Sequence, residues 1–299
     1  MAFRYVGRTF RYVGRTFRLR RRLRRTGVAL AKPVRSGALA LAVAALLFPL
    51  YWALVSSFAP DVRLFEAPSL VPVHVSLDQY RALFGERDFL TPIRNSLVVA
   101  AATTVLAVGL GTLCAYALAR LPMRGKPALL AFILAVSMFP QISIVSPLYL
   151  LLRDLGLINT YPGLVLPYLT FAMPLTIWLL TGFFRQLPGE LEAAARVDGA
   201  GPWRTFYEIM LPLAWPGVVT TAILTFLYCW NEFLFALSFT LGPERYTVPV
   251  AIALFRGQYQ VPWGEVLAGA VVATIPIALF VFVAQRRIVA GLTAGAVKG

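Results

Sequence analysis

Six runs of apolar residues, each long enough to cross a lipid bilayer, constrain this chain more than any other feature. A helix needs roughly 20 such residues to span about 30 Å of hydrocarbon. The whole chain is 59% hydrophobic and 14% charged, whereas a soluble domain is about half apolar and a quarter charged. The sequence therefore predicts an all-α membrane protein with six transmembrane helices. The predicted spans are Ala38–Phe58, Asn95–Ala119, Ala128–Leu152, Gly163–Phe184, Gly217–Phe239 and Val266–Ala284.

Basic residues are distributed unevenly between the two sides of these spans. Loops rich in Lys and Arg stay in the cytoplasm. Of the 28 basic residues, 21 fall on the side that carries both termini and seven on the other side. Both termini, and the segment between the fourth and fifth spans, are therefore predicted to be cytoplasmic. The predicted organisation is a basic leader over residues 1–37, a six-helix domain over 38–285 and a tail over 286–299.

The first 35 residues hold twelve basic residues and no acidic residue. Beside a membrane span, this charge predicts contact with anionic lipid headgroups. Nucleic-acid binding is the alternative, but no folded binding module accompanies the charge. The heptad FRYVGRT occurs at Phe3–Thr9 and again at Phe10–Thr16, and two copies are too few for a repeat fold. The first span is longer than a signal-peptide core, so we expect an uncleaved anchor.

A polar segment separates the fourth and fifth spans and reads ELEAAARVDGAGPWRTFYEIMLP. We call these residues, Glu190–Pro212, the polar loop. Glu190 and Glu192 complement the positive end of a helix dipole, and Gly199 suits the left-handed turn that ends a helix. A second helix is predicted over Trp203–Met210. The residues by themselves predict an exposed helix–turn–helix within residues 186–215.

The polar loop resembles the EAA loop of ABC-type importer permeases. That pattern is EAA, three residues, Gly, nine residues and Ile-x-Leu-Pro, and it fits here except that Ala193 stands at the position of the glutamate. The nearest acidic residue, Glu192, is one residue early. In the family this loop is a coupling helix that docks in a groove of the ATP-binding subunit. The resemblance implies docking through Glu190, Glu192, Ala194, Ala195, Asp198, Gly199, Ile209, Leu211 and Pro212.

The last fifteen residues, QRRIVAGLTAGAVKG, resemble the C-terminus of the second permease subunit of maltose- and trehalose-type importers. In that group the tail reaches between the two ATPase subunits. A disordered tail is the alternative, but small and apolar residues without a charge run favour docking. The residues implied are Gly291, Leu292, Thr293, Ala294 and Gly295.

The resemblance as a whole implies a permease subunit of an ABC importer for a sugar, such as a maltose- or trehalose-type oligosaccharide. The implied partners are a second, different permease subunit, two ATP-binding cassette subunits and an external solute-binding protein. ATP and Mg²⁺ are expected on the ATPase subunits, because this chain has no G-x-x-x-x-G-K-[ST] phosphate loop. No catalytic or metal site is predicted in this chain, and the sequence does not identify the residues that contact the sugar.

Two other classes of protein are alternatives to this interpretation. An ion-coupled secondary transporter would use buried acids at mid-membrane, and only Glu232, within YCWNEFLFAL, is predicted to lie inside a span. We assign Glu232 a structural or gating role. A membrane enzyme would need clustered catalytic groups, whereas the chain has a single histidine, His74.

Three local patterns complete the sequence-based expectations. The run Leu77–Phe84 predicts a short interfacial helix with Leu77, Tyr80, Leu83 and Phe84 on one face. The pair Asn95-Ser96 opens the second span, as in the resembling family. Pro140 and Pro147 predict a bend within the third span.

Overall fold

The computed structural model describes residues 35–60, 75–255 and 261–294, and for residues 283–294 only the path of the helix. These residues form helices and connecting turns, without a strand. The chain divides into two units between Val55 and Ser56. The first unit contains most of helix α1 (Arg35–Ser57), and most apolar side chains of this helix are exposed. Almost all of the predicted leader lies outside the described residues.

The second unit contains the remaining helices, two of which are at least 30 residues long. Within the described residues, five helices, α1 among them, are long and apolar enough to cross a membrane, or six if one bent pair forms a single span. The predicted class of multi-span helical protein is therefore confirmed. The helices are α2 (Asp78–Gly85), α3 (Leu90–Arg120), α4 (Lys126–Ser137), α5 (Gln141–Asp154), α6 (Tyr161–Gln186), α7 (Glu190–Val197), α8 (Pro202–Arg204), a π-helical segment (Thr205–Met210), α9 (Leu211–Trp230), α10 (Leu234–Phe239), α11 (Val248–Ala253) and α12 (Trp263–Ala294).

The predicted third span, Ala128–Leu152, is two helices rather than one. Helices α4 and α5 meet at 85°, with the break between Ser137 and Gln141. Pro140 explains the break, because proline has no N–H to donate and disfavours helical geometry in the residue before it. Pro147, by contrast, lies within α5 without ending it.

The predicted fifth span, Gly217–Phe239, is displaced toward the polar loop. The helix runs without interruption from Pro202 to Trp230, so the predicted second helix of the loop is the beginning of the span. The π-helical segment lies just before Pro212, which has no backbone N–H to donate. In this wider turn Leu211 N donates to Phe206 O, five residues earlier, instead of to the residue four positions earlier as in an α-helix. At the other end, the chain leaves the helix after Trp230 and forms the separate helix α10.

Helices α3 and α6 form the principal pair of the bundle. Gly111 permits their close approach, because a Cβ at this position would lie 2.7 Å from Cγ2 of Thr176. A buried cluster fills the end of the bundle nearest α7, and its aromatic members pack edge to face or tilted. We call this the inner cluster. It consists of Ala115, Tyr116, Leu180, Phe184, Phe206, Met210, Ala214 and Val218.

The pair Asn95-Ser96 has a structural explanation at the opposite end of the bundle. The buried amide of Asn95 donates to the carbonyl oxygens of Glu244 and Tyr246, both at 3.0 Å, and accepts from the Tyr161 hydroxyl at 2.7 Å. Ser96 Oγ accepts from Val248 N at 2.8 Å. The pair thus fixes the segment that leads into α11.

Helix α2 confirms the predicted short helix after the first span, but its buried face differs from the predicted one. Gln79 and Leu83 are buried, whereas Leu77 and Phe84 are exposed. Gly264 explains the burial of the polar Gln79, because it leaves the space beside that amide where any larger residue would collide.

Candidate interface for a partner subunit

Helix α7 is the first half of the polar loop and ends where the sequence predicts. It begins after Gly189, and Gly199 follows its C-terminal cap with φ +77°. Gly199 N donates to Arg196 O at 3.1 Å and Ala200 N to Ala195 O at 2.8 Å, which is the Schellman arrangement of hydrogen bonds. Glycine adopts this backbone conformation without the steric cost that a Cβ brings.

One face of α7 packs against the bundle and the other faces away. Ala195 is 3% exposed and anchors the inward face. The π-helical segment then returns the chain to the inner cluster, where the Phe206 ring lies 5.0 Å from that of Tyr116. The polar loop is therefore seated on the ends of α3 and α6 rather than projecting freely.

The predicted docking residues divide into an outward and an inward group. The outward group could contact another subunit directly, and the inward group positions the loop. Docking itself remains a prediction. Exposed are Glu190, Ala194, Asp198, Gly199 and Pro212, half-buried are Glu192, Ile209 and Leu211, and buried is Ala195.

Three large apolar side chains add to the outward surface. Val197 is 87% exposed, and Trp203 and Tyr207 are exposed with their rings stacked at 6.1 Å. The aromatic pair was missed by the sequence-based prediction. Two aromatic residues four positions apart in a polar segment were the available signal, because exposed apolar groups in such a segment mark interaction surfaces.

Two ion pairs of different character lie in the polar loop. Arg204 Nε and Glu208 Oε2 are 2.8 Å apart, and both side chains are more than half exposed. Glu192 instead turns toward the bundle, where its Oε1 lies 3.8 Å from Nε of Arg120 at the end of α3. Both of these side chains are largely buried.

The predicted C-terminal docking residues continue a span. Helix α12 extends to Ala294, so the chain from Gly291 to Ala294 is helical. Their side chains, and all of Gly295, lie outside the described residues. The apolar part of this helix, Trp263–Phe282, ends close to the predicted end of the sixth span at Ala284, and the helix then continues through the basic residues that follow.

Glu232 lies beyond the fifth span rather than inside it. The residue is 8% exposed, with Oε1 accepting from Phe235 N at 2.8 Å and Oε2 from Ala236 N at 3.1 Å. These are N–H groups at the start of α10, which have no partner within their own helix. Both oxygens thus stabilise a helix start, which favours the structural role over ion coupling.

Comparison with known proteins decides the family. Residues 93–293 match the model of the binding-protein-dependent transport system inner membrane component. The chain belongs to this family. It is thus a multi-pass inner-membrane permease component and a transport subunit rather than an enzyme, and the prediction of an ABC-type permease is confirmed.

Two curated relatives match this chain over most of its length. The trehalose transport system permease protein SugB of Mycobacterium tuberculosis is 48% identical, over 87% of this chain and 95% of SugB. The trehalose/maltose transport system permease protein MalG of Thermococcus litoralis is 41% identical, over 88% of this chain and 95% of MalG.

A solved structure shares the fold at much lower identity. A chain from the crystal structure of a bacterial ABC transporter involved in the import of the acidic polysaccharide alginate matches with a TM-score of 0.68 and 22% identity. The match covers 85% of this chain and 94% of that chain. The helical arrangement is therefore that of an ABC importer permease.

Proposed function

We propose that this chain is the permease subunit of an importer for an α-glucoside of the trehalose or maltose class. The observation that supports the substrate class is 48% identity with a trehalose permease over 95% of that protein's length. A second relative is named for both trehalose and maltose. Energy comes from ATP and Mg²⁺ bound by two separate ATPase subunits, and a second permease and an external binding protein complete the complex.

The outward face of the polar loop is the contact for one ATPase subunit. Its exposed alanine and glycine backbone permits close approach, while Val197, Trp203 and Tyr207 supply apolar surface. Both termini and this loop face the cytoplasm, an orientation supported by the excess of basic residues on that side. Nucleotide-driven movement of the ATPase subunits would then be transmitted to the bundle through α7.

Uptake by the reconstituted complex tests this proposal. Labelled trehalose and maltose are supplied with the binding protein to vesicles loaded with ATP, and lactose serves as a β-linked control. We expect uptake of at least one α-glucoside that requires ATP and persists when ion gradients are collapsed. Uptake driven by an ion gradient without ATP would support the secondary-transporter alternative, and ATP-driven uptake of lactose alone would overturn the substrate class.

A further inference from the structure

Arg120 lies where three elements of the bundle meet beneath the polar loop. It is the last residue of α3, and its side chain is 12% exposed. Its Nη2 donates to Phe184 O at 2.5 Å and also to Leu187 O. These carbonyl groups lie at the C-terminus of α6. There the helix dipole favours a cation, and the last carbonyl groups lack the regular N–H donor of an α-helix. Arg120 therefore joins the ends of α3 and α6.

The same guanidinium group faces α7. Nε of Arg120 lies 3.8 Å from Oε1 of Glu192, and the Glu192 side chain is 17% exposed. Among the residues that the structure describes, neither of these two atoms has a hydrogen-bond partner. The ion pair is thus a polar link between α7 and the two spans beneath it, and the Tyr116 hydroxyl of α3 also interacts with the Glu192 carboxylate.

The separation of the two atoms makes this link sensitive to the position of α7. Charge-assisted N–H···O bonds close at 2.7–2.9 Å, so a movement of α7 toward α3 by about 1 Å would complete the bond. A movement in the other direction would separate two largely buried opposite charges, which is unfavourable even though Arg120 keeps its bonds to the carbonyl groups of α6. The pair therefore resists separation of α7 from the ends of α3 and α6.

We propose that Arg120 and Glu192 are positioning residues that make α7 move together with α3 and α6. A force applied to the outward face of α7 then reaches both spans instead of bending the turn at Leu187–Gly189. This role rests on the proposed docking of α7 to an ATPase subunit. It also gives Glu192 an inward function, in a loop that has Ala193 where the family pattern has its glutamate.

The polar loop supplies its own control for this proposal. The pair Arg204–Glu208 has a shorter separation of 2.8 Å, but it is exposed and connects two positions of one helical segment. Exposed pairs of this kind contribute little. Glu192→Gln and Glu208→Gln remove the same charge from the same loop, and only the first breaks a contact between elements.

The decisive measurement is the number of sugar molecules imported per ATP hydrolysed by the complete complex in vesicles. We expect Glu192→Gln to lower this ratio by about tenfold, within the range of couplings measured between two sites. Arg120→Lys should lower it similarly, because an ammonium group cannot reproduce the planar fork. The double variant should be no worse than the stronger single variant, since both changes remove one interaction. Glu208→Gln should change the ratio by less than about twofold.

A second measurement does not depend on transport. Spin labels at the exposed Arg196→Cys on α7 and at Met123→Cys beyond α3, with Cys114 and Cys229 replaced by alanine, report the distance between the two elements in the assembled complex. We expect Glu192→Gln to broaden the distance distribution and Glu208→Gln to leave it unchanged. Equal coupling ratios, or equal distance distributions, in these two variants would overturn the positioning role. Absence of uptake by the unmodified complex would refute the proposed function instead.

Discussion

At the scale of single residues, Gly199 and Asn95 are two positions where the backbone depends on one residue type. Gly199 supplies a positive φ that ends α7 at the correct residue. Asn95 supplies two donors and one acceptor to three partners at the opposite end of the bundle. The role of each residue can be tested by a substitution that is compared with the same substitution at a control position.

Gly199→Val should uncouple ATP hydrolysis from transport. The space around Gly199 is open, so the effect arises from backbone strain alone, about 2 kcal/mol for a β-branched residue in the left-handed region. The helix end would rearrange and displace the outward face of α7. We expect an assembled complex in which the binding protein no longer stimulates ATP hydrolysis and uptake falls.

Gly201→Val is the control for this substitution. Gly201 lies two residues further along, also in open space, but its φ of −70° is available to any residue. Its uptake should remain near that of the unmodified complex. If both valine variants transport normally, the turn at Gly199 is not required for coupling.

Asn95→Ala should destabilise the end of the bundle opposite to the polar loop. It leaves the carbonyl oxygens of Glu244 and Tyr246 without their donor, and an unpaired buried polar group costs about 1–3 kcal/mol. The Glu244 side chain is held separately by the Asn159 amide at 2.7 Å, which also lowers the pKa of that carboxyl below its ordinary value. The segment would therefore loosen without being released completely.

Thermal unfolding of the purified complex measures this loss. Asn231→Ala is the control, because the exposed Asn231 amide donates to Leu227 O in its own helix. The melting temperature should fall clearly for Asn95→Ala and little for Asn231→Ala. Equal shifts would contradict the assignment of Asn95 as the residue that fixes this segment.

At the scale of secondary-structure elements, hydropathy predicts which segments are spans but not where each one bends or ends. The α4–α5 break was predicted as a bend because Pro140 is visible in the sequence, yet its size depends on the packing of both halves. The continuous helix from Pro202 to Trp230 was not predicted, since a π-helical segment has no sequence signature that marks it. The end of α7 was predicted correctly because glycine alone determines it.

The inward orientation of Glu192 shows the same limit within the candidate interface. Sequence spacing places Glu190 and Glu192 in the first turn of one helix, and the charges alone do not distinguish them. The distinction depends on Arg120, which is 72 positions earlier in the chain and meets Glu192 only through the packing of α3 on α6. Contacts of this kind require the tertiary structure.

The end of α12 is an element whose function can be tested by truncation. Deleting Gly291–Gly299 removes the last turn of the described helix and the residues that follow, and leaves the apolar part of every span intact. We expect normal membrane insertion and reduced uptake. A cysteine at Thr293 should crosslink to an ATPase subunit, whereas one at the exposed Leu241, at the opposite end of the bundle, should not. No crosslink from Thr293 in any nucleotide state would favour the alternative of an undocked tail.

At the scale of the whole molecule, the two ends of the bundle have different tasks. At one end, the polar loop packs on the inner cluster and is linked to α3 by the largely buried pair of Arg120 and Glu192. The other end is held by the Asn95 network. This difference between the two ends agrees with the unequal distribution of basic residues in the sequence. The membrane orientation of the chain is therefore a direct test of the proposed mechanism.

The orientation should persist without the duplicated part of the leader. Removing Met1–Thr16 eliminates four arginines, and eight basic residues still precede the first span. The positive-inside bias therefore remains, and we expect near-normal insertion and uptake with weaker attraction to anionic lipid. A membrane-impermeant thiol reagent applied from outside should label Leu241→Cys but not Val197→Cys, in the truncated and in the full-length chain alike. Labelling of Val197→Cys in the full-length chain would contradict the proposed orientation. The same labelling in the truncated chain alone, or uptake lost at normal complex yield, would show that the leader has a function beyond charge.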